Sequence, residues 1–232
     1  MKNFLITAVA TSAFATSGVV SGAAHAQDEW SLSLDGYVGL TSDYRDRGVS
    51  LSDRDFAAVA SVGAFFDNGF YVGVDAGTVD TLNGGDARIE TFAGYTIDTG
   101  SYIYDFSVEL DSIHGDGSQY YPEFKASMSR DFGLAFTRAG VAYAPGGRWT
   151  NPNNQSFYSF ADLEIPVPNM PALTIVGHVG RDFRSDVENL WDWSVGLSAF
   201  VGDAELTVTY DKSTFDGRIG SGRVIFGARM YF

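Results

Sequence analysis

The 232-residue chain contains no cysteine, only six prolines and three histidines, and its 15 Lys plus Arg face 29 Asp plus Glu. Without thiols, disulfides, thiolate nucleophiles and cysteine-ligated zinc are excluded. The scarcity of basic residues leaves a formal net charge of −14, which repels nucleic acid. Long apolar runs are also missing, since no stretch after the first 26 residues reaches the roughly 18 consecutive apolar residues of a membrane-crossing helix. No Pro- or Ser-rich linker divides the chain, so a single domain is expected.

The first residues read differently from the rest. Lys2 precedes an apolar and small-residue run from Phe4 to Val20, and Ala24-His25-Ala26 stands before Gln27-Asp28-Glu29. This is the pattern of a secretory signal peptide cut after about Ala26. The expected organisation is a signal peptide over 1–26 and one domain over 27–232. The leader carries Lys2 and no acid, so its removal makes the chain one unit more negative.

What the sequence has in excess is Gly (27), Phe (18) and Tyr (12), a composition that favours strands over helices. From Ser31 onward it breaks into about twelve segments with period-two alternation, each of the length needed to cross a hydrocarbon layer at a tilt. They are predicted at 31–41, 56–66, 69–79, 87–97, 101–111, 119–129, 133–143, 156–165, 171–181, 191–201, 203–211 and 222–232. Asp67-Asn68-Gly69, Asp98-Thr99-Gly100, Arg130-Asp131, Pro166 to Pro171 and Gly202-Asp203 are tight connections, and the intervening ones are longer. Short turns at one end and long loops at the other predict an all-β fold, a transmembrane antiparallel up-and-down β-barrel. Closure is required because each unpaired backbone group in lipid costs several kcal/mol.

The tenth segment shows the two faces. Trp191, Trp193, Val195, Leu197, Ala199 and Val201 alternate with Asp192, Ser194, Gly196 and Ser198, apolar outside and polar inside. The last alternates likewise and stops at Tyr231-Phe232, an amphipathic aromatic ending that resembles the assembly signal of outer-membrane barrels. Pairs such as Phe65-Phe66, Phe70-Tyr71 and Tyr120-Tyr121 near strand ends suit interfacial girdles. A soluble β-sandwich would alternate too, but the long/short rhythm of connections would then be accidental.

The stretch Leu40-Thr41-Ser42-Asp43-Tyr44-Arg45-Asp46-Arg47-Gly48-Val49-Ser50, followed by Asn68-Gly69-Phe70-Tyr71-Val72-Gly73-Val74, resembles the opening of the TorF family, catalogued as porins among proteobacterial conserved hypothetical proteins. Asp46 departs from the aromatic residue usual at that place. The resemblance implies a small barrel in the bacterial outer membrane, reached through the periplasm, and brings no catalytic residues with it.

On the alternation, the lumen-lining candidates are Asp35, Asp75, Arg88, Glu90, Asp105, Glu109, Glu123, Lys125, Arg138, Asp162, Glu164, His178, Asp192, Glu205, Arg223 and Arg229. Acids outnumber bases about two to one, which predicts a mild preference for cations in an aqueous passage. Expected partners are outer-membrane lipid and lipopolysaccharide, the barrel-assembly machinery, and small hydrophilic solutes or ions. No cofactor, metal or catalytic residue is expected, and the carboxylates assigned to outer loops, among them Asp80, Asp86, Asp111, Asp116, Asp182, Asp186, Glu188, Asp211 and Asp216, lack calcium-loop spacing.

Three readings compete. The first is a porin-like channel. The second is a non-conducting structural or surface-binding barrel with acidic extracellular loops. The third, an outer-membrane hydrolase, would need His178, facing Ser194, to form a triad with an acid such as Asp192, but no nucleophile-elbow motif surrounds Ser194. His114 is read into a polar loop. The segment from Asp43 to Asp55 folds either inward as a constriction or outward as a solvated charged loop.

Overall fold

The computed structural model describes residues 32–81 and 84–232. The segment read as a signal peptide lies outside them. In chain order the strands are β1 (Leu32–Thr41), β2 (Arg45–Asp46), β3 (Val49–Ser50), β4 (Ala57–Phe66), β5 (Phe70–Thr78), β6 (Gly85–Asp98), β7 (Ile103–Gly115) and β8 (Ser118–Asp131). They continue with β9 (Phe136–Ala144), β10 (Gly147–Arg148), β11 (Asn151–Pro152), β12 (Ser156–Pro166), β13 (Leu173–Arg184), β14 (Leu190–Val201), β15 (Ala204–Ser213) and β16 (Arg223–Tyr231). One 3-10 turn, η1, spans Arg218–Gly220.

Twelve of these strands close into one antiparallel barrel in the order β1-β16-β15-β14-β13-β12-β9-β8-β7-β6-β5-β4. Each pairs with its sequence neighbour in the wall, and β1 meets β16 to seal it, with Tyr37 opposite Tyr231 and Thr41 opposite Gly227. The expected twelve segments each coincide with one barrel strand, because burial alternates residue by residue along them. On β14, Trp191, Trp193 and Val195 are exposed while Asp192 and Ser194 are buried. The outward residues are apolar and the buried ones largely polar, the reverse of a soluble domain.

At the short-turn end the strand boundaries lie within three residues of the sequence reading, except that Arg130 and Asp131, read as a tight connection, end β8 and the turn to β9 is 132–135. At the opposite end several strands run further than predicted. β7 and β8 extend to Gly115 and Ser118, so only Asp116 and Gly117 connect them. His114 therefore lies in β7 rather than in a loop, with its ring nitrogens 3.1 Å from the Ser118 and Ser112 hydroxyls. Asp111 and Asp211, counted with the outer loops although they end predicted segments, and Asp182, expected in a loop, are strand residues and almost wholly buried. Their ladders continue because the period-two pattern does: Glu109, Asp111 and Ile113 are all buried on one face of β7.

The apolar core of the described residues sits at the long-connection end. Val49, Leu51, Val79, Ile113, Tyr121, Trp149 and Ile219 pack together there, with Tyr44 and Phe215 against them. They come from the connections after β1, β5, β9 and β15 and from the ends of β7 and β8, so distant loops are joined into one cap.

Candidate functional site

The barrel interior begins with the predicted lining residues. Asp75, Arg88, Glu90, Glu109, Glu123, Asp192 and Glu205 are each under 10 % exposed. Asp35, Asp105, Lys125, Arg138, Asp162, Glu164, His178, Arg223 and Arg229 are half-buried. Most are engaged with neighbours on the same face. Arg88 donates to Asp111 at 2.8 Å and also pairs with Glu90. Lys125 pairs with Glu109, Arg138 with Asp162 at 2.7 Å, and Arg229 with Glu205 at 3.3 Å. Asp105 accepts from Tyr71 Oη at 2.8 Å.

His178 is opposite Ser194 in register, as read from the sequence. Its ring serves another arrangement. Nδ1 lies 2.6 Å from Asp162 and Nε2 lies 2.9 Å from Asp192 and 2.8 Å from Tyr158 Oη. A nucleophilic triad needs one ring nitrogen free for the serine hydroxyl, and here carboxylates take both. Among the described residues, no cluster of His, Asp and Glu is arranged to hold a metal.

The segment between β1 and β4 turns inward. Ser42, Asp43, Arg45, Asp46, Arg47, Val49, Ser50, Leu51 and Ser52 are all buried, so the solvated-loop reading is wrong for its first ten residues. The β2–β3 hairpin builds the excursion, pairing Arg45 with Ser50 and Asp46 with Val49. At its tip Gly48 adopts φ +74°, and a Cβ there would stand 2.8 Å from the Lys212 carbonyl oxygen. Only glycine fits both the torsion and the approach.

Arg47, beside that glycine, crosses the barrel. It donates to Glu123 Oε2 at 2.6 Å and also contacts Oε1. Its guanidinium lies 4.0 Å over the Tyr158 ring. Glu123 is on β8 and Tyr158 on β12, strands five places from β1 in opposite directions round the wall. Both strands flank β9, opposite β1, and Arg45 reaches a second side, pairing with Asp43 at 2.9 Å and Asp211 on β15 at 3.3 Å.

A second inward loop completes the closure. The β10–β11 hairpin carries Arg148, which pairs with Asp46 at 2.8 Å, with Asp111 at 3.3 Å and with Glu123. Beside it Trp149 Nε1 donates to Asp46 at 2.9 Å. Burial pushes the Asp46 carboxyl up, but Arg148 and Arg47 outweigh it and hold the group below the ordinary carboxylate range. Burial likewise works against the charge of Arg47 and of Arg148, yet the acids around them raise both above the usual arginine value. The loop charges are therefore locked in their ionised forms.

Sequence reasoning did not identify Tyr44, Asp111, Arg148, Trp149, Tyr158, Asp182 and Asp211 as interior residues. The strand members among them carried a usable signal, the alternation itself: Asp111, Tyr158 and Asp211 fall within predicted segments and Asp182 one residue beyond one. Arg148 and Trp149 carried none, because nothing local marks a loop that folds inward.

Comparison with known proteins agrees with this architecture. A family model described as "Bacterial protein of unknown function (Gcw_chp)" matches residues 23–219. No curated protein matches the sequence. Among solved structures, the NanC porin is similar with a TM-score of 0.58 at 12% identity, over 86% of this chain and 100% of that one. The KdgM porin in complex with disordered oligogalacturonate is similar with a TM-score of 0.56 at 10% identity, over 86% of this chain and 99% of that one. At such identities the likeness concerns the fold.

Proposed function

The chain belongs to the Gcw_chp family of bacterial proteins of unknown function, and we propose that this member is a porin-like channel of the outer membrane. It would pass small hydrophilic solutes or ions by diffusion. The observation that carries the reading is a closed wall, apolar outside and polar within, which is the arrangement of a barrel whose solvent is lipid on one side and water on the other. The fold it shares with two porins and the resemblance of its Leu40–Ser50 segment to TorF proteins support the same reading. So do Asp75 Oδ1, Glu90 Oε1 and Asp192 Oδ2, buried oxygens without a hydrogen-bond partner among the described residues. Such atoms call for water or a cationic group.

A mild cation preference belongs to the proposal, resting on the acidic excess of the inner wall. Arg45, Arg47 and Arg148, added by the inward loops, act against it. Lipopolysaccharide contact at the long-connection end and delivery by the barrel-assembly machinery, read from Tyr231-Phe232, complete the picture.

The second reading, a non-conducting surface-binding barrel, is favoured by one observation: the 43–55 segment spans the interior and is tied to several sides of it. Planar-bilayer recording of the refolded chain separates the two. Discrete steps are expected, with a reversal potential biased toward cations and reduced by Glu109→Gln. A silent bilayer with a folded, heat-modifiable barrel removes the channel reading, and an anion-biased potential removes the selectivity.

A further inference from the structure

The outward wall is apolar along most of its height, and charged outward side chains occur near its ends. At the long-connection end two cations stand on it. Arg181 on β13 and Lys212 on β15 point outward, because their neighbours Asp182, Asp211 and Ser213 are buried and alternation turns the intervening positions to the lipid side. Arg181 is opposite Trp191, and Lys212 is opposite Trp193. The two cations thus bracket two exposed tryptophans across three adjacent strands.

The Arg181 guanidinium is held by aromatic faces, 4.6 Å from the Phe183 ring centre and 4.9 Å from that of Trp191. On the Lys212 side Trp193 packs against Tyr210 at 5.3 Å. Arg181 Nε, buried at these rings, has no hydrogen-bond partner among the described residues. Arg130, near the short-turn end, differs, since it donates to Tyr102 Oη at 2.6 Å. A cation at a lipid boundary is costly unless something pairs with it, and here the protein supplies aromatic faces but, among the described residues, no carboxylate for either Arg181 or Lys212.

We infer that Arg181 and Lys212, with Trp191 and Trp193 between them, bind the phosphate headgroup of an anionic lipid on the outer wall. Charge complementarity selects an anion, even though the chain as a whole carries −14 and repels anions elsewhere. The ligand is a lipid rather than free phosphate because Val179 and Val195, both outward and about half exposed, continue the patch down the wall. They offer acyl chains a surface that a small ion would not use. Tryptophan flanked by cations is the pairing expected at headgroup level.

The inference rests on the barrel being embedded in a membrane and not on its conducting. The test is native mass spectrometry of the folded chain in non-ionic detergent, titrated with phosphatidic acid and with phosphatidylcholine of the same acyl chains. Phosphatidic acid is expected to bind about tenfold more tightly, in line with the attraction of two surface cations. The double variant Arg181→Gln/Lys212→Gln should bring the two lipids to near parity with unchanged heat-modifiable migration. If the double variant does not fold, Lys212→Gln alone, at an exposed position, should lose a measurable part of the preference. Equal retention by the wild type, or an undiminished preference in the variants, overturns the site. Displacement by equimolar inorganic phosphate would assign it to the free ion instead, which also overturns the lipid. A wild-type barrel that lacks the preference yet conducts loses this site and keeps its channel reading.

Discussion

At one end of the barrel, consecutive strands are joined by turns such as Asp67 to Gly69 and Asp98 to Gly100, each closed by local hydrogen bonds: Gly69 N donates to Phe66 O at 2.9 Å, and Gly100 N to Asp98 Oδ1 at 2.6 Å. At the other end, the connections after β1 and β9 fold into the barrel, and their charges pair with each other and with strands of the wall. The first end is finished within a few residues of sequence. The second is finished by contacts such as Arg47–Glu123 and Asp46–Arg148, between residues 76 and 102 positions apart. A turn closed locally tolerates change without consequence elsewhere, whereas the loop end is one coupled structure of an ion-pair network beneath an apolar cap.

The largest expected effect comes from removing that coupling. Replacing Arg45–Ser50 with a short Gly-Ser linker should raise single-channel conductance several-fold, because the segment crossing the interior is gone. Unchanged conductance would mean that the loop end does not control the passage. Next, Glu123→Gln removes the acid on which Arg47 and Arg148 converge. Breaking a buried ion pair by removing one partner costs about 3–5 kcal/mol, so the loop is expected to swing out, giving longer open dwells in the same recordings. A variant as closed as wild type would show that Tyr158 and the apolar cap hold the loop by themselves.

The pH dependence is a weaker effect with a definite sign. The Asp46 carboxyl has its folded value depressed below the unfolded one, so its contribution is fully present above about pH 4. It is lost only as pH falls further, through the folded value. Through Asp46 the closed fraction should therefore be the same at pH 7 and pH 5 and decline only in stronger acid; a loop that opened at pH 5 would point to another group, such as Asp211 beside Arg45. The smallest effect compares two glycines of similar torsion. Gly100, with φ +80° and nothing within 4 Å of a Cβ, should lose about 1 kcal/mol on substitution by Ala. Gly48→Ala must also displace the Lys212 carbonyl and should lower the urea midpoint of unfolding further. Equal midpoints would show that the hairpin tip is looser than its contacts imply.

Much of the architecture was legible without coordinates. Alternation at residues such as Trp191-Asp192-Trp193-Ser194 identifies both the strand and its faces, since a strand in lipid must present apolar atoms outward at every second position. The same rule put His178 opposite Ser194. It did not reveal that Asp162 and Asp192 would take both ring nitrogens, because their approach depends on rotamers and on three strands together. Strand ends were missed where a polar residue such as Asp182 looked like loop; on an inward face, polarity does not distinguish strand from connection.

The loop from Asp43 to Asp55 marks the limit of sequence reading. Its alternating charges are compatible with solvent and with burial, and the choice between them depends on whether Glu123, Tyr158, Arg148 and Asp211 stand within reach. Strand positions, face assignment and closure follow from the sequence itself, because period-two patterning and the cost of unpaired backbone in lipid act locally on every segment. The inward fold of the loops was decided only by the tertiary structure, since buried charges are stable only beside opposite charges, and those lie on strands brought together by closing the barrel.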